Sequence, residues 1–173
     1  MTGWAHVMTS TLGHWLPGDP RGFRDHGHRV HSSGDYKNPS PDGEHAGLHH
    51  YARSILRNEV SLTEPQRARL GKSLLEKLER MGTAVAVLAV GARHVHGLIR
   101  VGTADAVEVF GRAKQFASHQ IRAEIPGKLW GASSHVERIH DGAQFVSALK
   151  YITRHRAEGA WVWENPEIAT DRR

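Results

Sequence analysis

The chain has 173 residues, the length of one domain with a real core, and no cysteine, which excludes disulfide scaffolds, cysteine-ligated zinc and thiol nucleophiles. Hydrophobic residues make up 39% and charged residues 24%, and no stretch approaches the roughly 20 apolar residues of a spanning helix, so neither a disordered tail nor a membrane protein is expected. Basic residues exceed acidic ones, 23 to 18, for a net charge of +5; 17 of the 23 are arginine, whose flat fork suits phosphate oxygens, so a polyanion is the partner to look for.

The first residues, Met1-Thr2-Gly3-Trp4-Ala5-His6, contain no basic segment ahead of an apolar run, and a cytoplasmic protein is expected. Trp4 to Thr11 reads as a strand, rich in β-branched and aromatic residues and stopped by Gly13. From Gly13 to about His50 the pattern collapses into prolines, glycines and scattered histidines, which predicts a long loop or insertion with little regular structure. A short helix fits His50 to Arg57. A firmer one follows, where Thr63 and Gln66 form a capping-box pattern and Pro65 falls in the first turn. Leu70, Leu74, Leu78 and Met81 supply its buried stripe.

Ala84 to Val90 is a continuous apolar run of strand length, and a tight loop leads from it to a second strand, His94 to Val101. A long helix over about Ala104 to Ile125 would bury Val107, Phe110, Ala113, Ala117 and Ile121 and turn Arg112, Gln115, His119 and Arg122 outward. A short strand near Ser133 to Ile139 leads into a last helix, about Gly142 to Arg156, followed by a tail over about 157–173. This order predicts one α+β domain over 1–173: a ferredoxin-like sandwich, with an antiparallel sheet, helices packed on one face and the 13–50 insertion after the first strand.

Fourteen histidines are unusual, but eight of them lie in the first 50 residues, and those at 26, 28, 31, 45, 49 and 50 read as polar loop residues. His94-Val95-His96 is sharper. On a strand, residues i and i+2 share a face about 7 Å apart, so the two imidazoles can converge on one divalent ion while Val95 packs into the opposite face. Alone, such a pair is more often simply solvent-facing. The last helix adds to it: Phe145, Leu149 and Ile152 form the apolar stripe, and Tyr151 falls on another face with Gln144, Ser147 and, one turn on, His155. Lys150 and Arg154 flank the tyrosine and could hold phosphate. A phenol beside a histidine-held metal has the parts for nucleophilic attack on a phosphodiester. Tyr36 and Tyr51 are rivals in name only, since Tyr36 lies in the loop and Tyr51 has Ile55 at i+4. Arg112, Lys114 and Arg122 could contact backbone phosphates, as could Arg21 and Arg24 in the insertion, though surface elements often carry such charges.

These residues resemble the single-tyrosine transposases of the His-hydrophobic-His superfamily, including the REP-associated tyrosine transposases. His94-Val95-His96 matches the metal motif, Tyr151-Ile152 the catalytic tyrosine, and Lys114, Ser118, Leu129-Trp130 and Asp141 the intervening segments; Trp15 to Gly22 resembles a variant branch. His155 stands where the family usually has Gln or Asn, and Ser134 and Val136 replace an aromatic and an acidic residue. The resemblance implies a transposase that nicks and rejoins single-stranded or hairpin DNA through a 5′-phosphotyrosine, using Mg²⁺ or Mn²⁺ held by His94, His96 and His155 and no nucleotide cofactor. It also implies a homodimer, with monomers known among REP-associated members. Two other readings stand beside it: a non-catalytic, domesticated single-strand nucleic-acid-binding module, and a hydrolytic histidine–metal enzyme.

Overall fold

In chain order the elements are β1 (Trp4–Thr11), a short hairpin of β2 (Phe23–Asp25) and β3 (His28–Val30), α1 (Ala46–Ile55), α2 (Glu64–Arg80), β4 (Ala84–Val90), β5 (His94–Arg100), α3 (Ala106–Gln120), β6 (Trp130–Arg138), α4 (Gly142–Arg154), a 3-10 turn (His155–Glu158), β7 (Trp161–Glu164) and α5 (Pro166–Thr170). This computed structural model describes residues 2–25, 28–30, 41, 43–56 and 58–170. His26, His31 and Tyr36 lie outside the described residues, as do the side chains of Arg24 and His28.

Five strands form one antiparallel sheet in the order β6-β1-β5-β4-β7. The fold is the expected α+β sandwich, and β1 matches its expected bounds. Helices cover both faces of the central strand β5, and its alternation sorts its side chains between them. Val95 and Ile99 join Val7 of β1 in a core roofed by Leu70, Leu74 and Leu78 of α2 and Phe110, Ala113 and Ala117 of α3. The opposite face carries His94, His96 and Leu98. Leu98 packs there with Ala86, Val87 and Ala89 of β4 beneath Leu149 and Ile152 of α4.

The expectation that the helices share one face therefore holds for α2 and α3 and is corrected for α4. Two apolar surfaces need cover, because β4 is apolar on both faces and a bulge between Val85 and Val87 gives Ala86, Val87 and Ala89 to the second one. The small side chains of Ala86 and Ala89 leave room for a helix on that side.

Helix ends follow the local sequence. Thr63 N–H donates to Gln66 Oε1 (2.9 Å) at the start of α2, and Asp105 and Asp141 accept from Val107 N–H and Gln144 N–H (both 2.8 Å) at the starts of α3 and α4. With its cap at Asp105, α3 is shorter than expected, and Val107 in its first turn is exposed rather than buried. The insertion is more regular than expected: it holds the β2–β3 hairpin and the first half of α1, which starts at Ala46.

The tail contributes β7, which pairs with β4 from Val87↔Glu164 to Val90↔Trp161 and closes one edge of the sheet. A glycine in mid-helix makes this possible: a Cβ at Gly71 of α2 would collide with the six-membered ring of Trp161. By helix propensity alone, Gly71→Ala should stabilise the protein by about 1 kcal/mol. The clash reverses the sign, and we expect urea unfolding to show a loss of roughly 1–3 kcal/mol. In a Trp161→Ala background the same change should become neutral or stabilising; destabilisation that persists there would refute the notch.

Candidate metal and tyrosine site

Three of the histidines converge on the α4 side of the sheet. His94 and His96 come from alternate positions of β5, and His155 caps the end of α4 where the helix tightens into the 3-10 turn. Ring centroids lie 5.1 Å apart for His94–His96, 5.2 Å for His94–His155 and 4.6 Å for His96–His155. One nitrogen from each ring falls within 4.8 Å of the others, close enough for all three to meet a single ion.

Hydrogen bonds limit which nitrogens are free. His155 Nδ1 lies 3.0 Å from the carbonyl of Tyr151. A carbonyl only accepts, so Nδ1 carries the proton and the Nε2 lone pair is left over. His96 Nδ1 lies 3.1 Å from Nε2 of His6 on β1. If His96 donates there, its own Nε2 is also free, the usual arrangement in which a second group orients a ligating imidazole. His94 keeps Nε2 buried with no hydrogen-bond partner, an unsettled polar atom that ligation would explain.

Protonation favours the same role. Burial, and after it the charges of His155, His6 and His94, push His96 down to about 2; burial, then His135 and His155, push His6 down to about 4. His94 is also lowered, by burial first and His155 next. Near pH 7 these rings are neutral and keep a lone pair, the state a metal requires. The donor set thus fits a divalent cation.

Tyr151 stands at the open side of the cluster, 40% exposed. Its ring centroid lies 5.0 Å from that of His155, 5.5 Å from His96 and 5.9 Å from His6, all within one chain. The Arg154 guanidinium sits 5.3 Å from the tyrosine ring centre, and Lys150 is exposed on the same helix. Tyr51 is exposed on α1, away from the cluster. Gln144, which shares a helix face with the tyrosine in the sequence pattern, is taken up by the cap, where its Oε1 accepts from His140 N–H.

The other basic candidates do not join the site. Lys114, Arg112 and Arg122 belong to the α3 side, across the sheet from the histidines. The Lys114 ammonium donates to Thr9 Oγ1 (2.8 Å) and Ser134 Oγ (3.0 Å), and burial lowers its pKa. Trp130 Nε1–H donates to Ser118 Oγ (2.6 Å) and the Lys114 carbonyl (3.1 Å). Lys114, Ser118, Trp130 and Ser134 therefore form one network that ties α3 to β1 and β6, with the Lys114 ammonium partly buried in it. Arg112 pairs with Glu108 one turn away (2.6 Å), and Arg122 is exposed.

Two histidines at the site escaped the sequence reading. His6 is visible only once β1 is known to pair with β5 with His6 opposite Leu98, which puts it on the histidine face. His14, at the mouth of the insertion, stands 6.2 Å from the His94 ring, and nothing in a histidine-rich loop singled it out.

No protein-family model and no curated protein sequence matches the chain. Among solved structures, a REP-associated tyrosine transposase bound to a REP hairpin aligns with 92% of this chain and 70% of its own, at a TM-score of 0.53 and 12% identity. A candidate transposase from Deinococcus radiodurans R1 aligns with 87% of this chain and 88% of its own at 13% identity, but its TM-score of 0.43 adds nothing to the comparison. The chain thus has the fold of the REP-associated tyrosine transposase; at 12% identity the likeness is one of fold.

The lowered histidines set a pH dependence with a definite sign. Between about pH 4 and 6.5 the unfolded chain binds protons at positions 6 and 96 that the fold excludes, so stability falls as pH drops. In EDTA, the urea midpoint should decline steadily from pH 7 to pH 5, and His6→Gln should flatten the decline. A midpoint that stays level over that range would contradict it.

Proposed function

We propose that the protein is a metal-dependent DNA strand transferase of the single-tyrosine transposase kind, acting on single-stranded or hairpin DNA. The observation that carries this reading is the position of Tyr151: one helix turn from His155, at the open edge of three imidazoles that can share an ion, with no second subunit needed to complete the set. The likeness of fold to a transposase holding a DNA hairpin supports the same class of substrate.

His94, His96 and His155 would hold the cation, with His6 orienting His96. A divalent ion there supplies polarisation of a phosphate and offsets charge in the transition state. All-imidazole ligation favours Mn²⁺ over Mg²⁺, which prefers oxygen donors. Tyr151 presents its phenolic oxygen to the phosphorus; the Tyr–O–P bond forms as the bond to the 3′ oxygen breaks. The phenol gives up its proton and the departing 3′ oxygen gains one, leaving a 5′-phosphotyrosine and a free 3′ hydroxyl. Attack by a 3′ hydroxyl on that ester rejoins a strand and restores the tyrosine. Arg154, beside the phenol, and Lys150, one residue before it, are placed to bind phosphates flanking the cut.

Incubating the protein with labelled single-stranded hairpin DNA and Mn²⁺ should give a covalent protein–DNA species that survives denaturation. Tyr151→Phe should abolish it while DNA affinity stays within about twofold, because the hydroxyl is asked for chemistry and not for binding. An adduct formed by the Phe variant would move the nucleophile elsewhere. EDTA, or His94→Ala with His96→Ala, should likewise remove the adduct, and half-maximal activity should need less Mn²⁺ than Mg²⁺. Cleavage that persists in EDTA would eliminate the metal role.

A further inference from the structure

Beside the histidine cluster lies a cleft of about 350 Å³ between the turn that opens the insertion and helix α1. The turn is a built feature. Asp19 is buried, and its Oδ1 accepts from both the backbone N–H and the Nε–H of Arg21 (2.9 Å each) while Oδ2 accepts from Nη2 (2.6 Å). Burial works against the charge on Asp19, but the Arg21 bonds and charge outweigh it and hold the carboxyl below its usual range. Arg21 Nη2 also donates to the His14 carbonyl (3.0 Å), which fixes the residue whose ring faces His94. Gly18, at φ +82°, lets the turn press onto the α1 backbone, where any Cβ would meet the His45 carbonyl at 2.8 Å.

Two of the three arginines on the cleft wall are neutralised in place: Arg21 by Asp19, and Arg93 by an ion pair with Glu59. Arg53, exposed in the last turn of α1, has no partner among the described residues. Leu16, Pro20 and Leu56 add apolar surface to the lining. A half-open cleft of this size, with apolar and polar groups both in its lining and Arg53 unpartnered among the described residues, suits a base attached to a phosphate. Its inner end is His14, and beyond His14 is the cluster where the scissile phosphate would sit.

We infer that this cleft seats the nucleotide next to the cut, with its base between Leu16 and Leu56 and its phosphate on Arg53, and so reads the flank of the cleavage site. The inference rests on the strand-transfer reading for the meaning of "the cut", but nucleotide binding in the cleft can be measured without any chemistry.

The test is a scan of single-stranded oligonucleotides, each with one abasic position, bound to Tyr151→Phe and followed by fluorescence anisotropy. One position should weaken binding about tenfold. Adding Arg53→Ala, an exposed change that leaves the core alone, or Leu16→Trp, which fills the slot, should shrink that penalty below twofold. Arg53→Ala should also lower the slope of log affinity against log salt by about 1, as expected for one lost phosphate contact. In the parent protein with Tyr151 intact, the sensitive position should map beside the adduct. Abasic penalties that are uniform, or unmoved by either variant, would overturn the cleft as a nucleotide site while leaving strand transfer standing. A localised penalty erased by the variants, without any covalent adduct from the parent, would keep the cleft and sink strand transfer. No binding of single-stranded DNA at all would overturn both.

Discussion

The period-two alternation of one central strand is the constraint on which the rest depends. Because α2 and α3 pack on one face of β5 and α4 on the other, His94-Val95-His96 must place two imidazoles and one isopropyl group in different environments. Val95 meets the core under α2 and α3. The imidazoles meet His155, His6 and the tyrosine helix. A shift of one residue in register would exchange these faces, burying both histidines among leucines and turning Val95 toward His155 and the tyrosine helix. The apolar packing of the α2–α3 side thus fixes the geometry on the other side, although none of those side chains touches it.

Strong periodicity made much of this legible in the sequence. Trp4–Thr11, the apolar β4 run, the HxH strand and the Thr63-capped helix each have a pattern that only one element satisfies. Relations between elements were less visible. The stripe of Phe145, Leu149 and Ile152 says which side of α4 is buried, but not which side of the sheet buries it; that depends on the β4 bulge, which turns Ala86 and Val87 together toward the helix. Trp161–Glu164 is four residues long and reads as a strand only through its fit to Gly71. Val107 looked like core because it lies three residues before Phe110, but the buried stripe reaches the first turn of α3 through Ala106, four residues before it.

The candidate site divides in the same way. Two of its histidines are neighbours on a strand and His155 follows Tyr151 by one turn, so local spacing could suggest them. His6 and His14 arrive by tertiary pairing, for which spacing carries no signal. Basic residues show the limit most clearly. Lys114 and Arg53 are equally cationic in the sequence, yet Lys114 is partly buried against Thr9 and Ser134 whereas Arg53 is exposed beside a cleft with no partner among the described residues. Whether a charge is free depends on what folds against it.

Carrying the tyrosine and a metal ligand on one helical turn also has a mechanical consequence. The Tyr151 carbonyl receives the His155 Nδ1 hydrogen, so the backbone of the nucleophile sets the orientation of the third imidazole. Leu149 and Ile152 anchor that turn in the sheet, and Phe145 packs edge-on against Trp4 at 5.1 Å. The backbone that carries the phenol is therefore fixed relative to the cluster; shifting the Tyr151 Cα means moving the end of α4 and, with it, His155. An ion bound by His94, His96 and His155 would stiffen the same turn, so metal affinity and the placement of the nucleophile are coupled through a single hydrogen bond and one turn of helix.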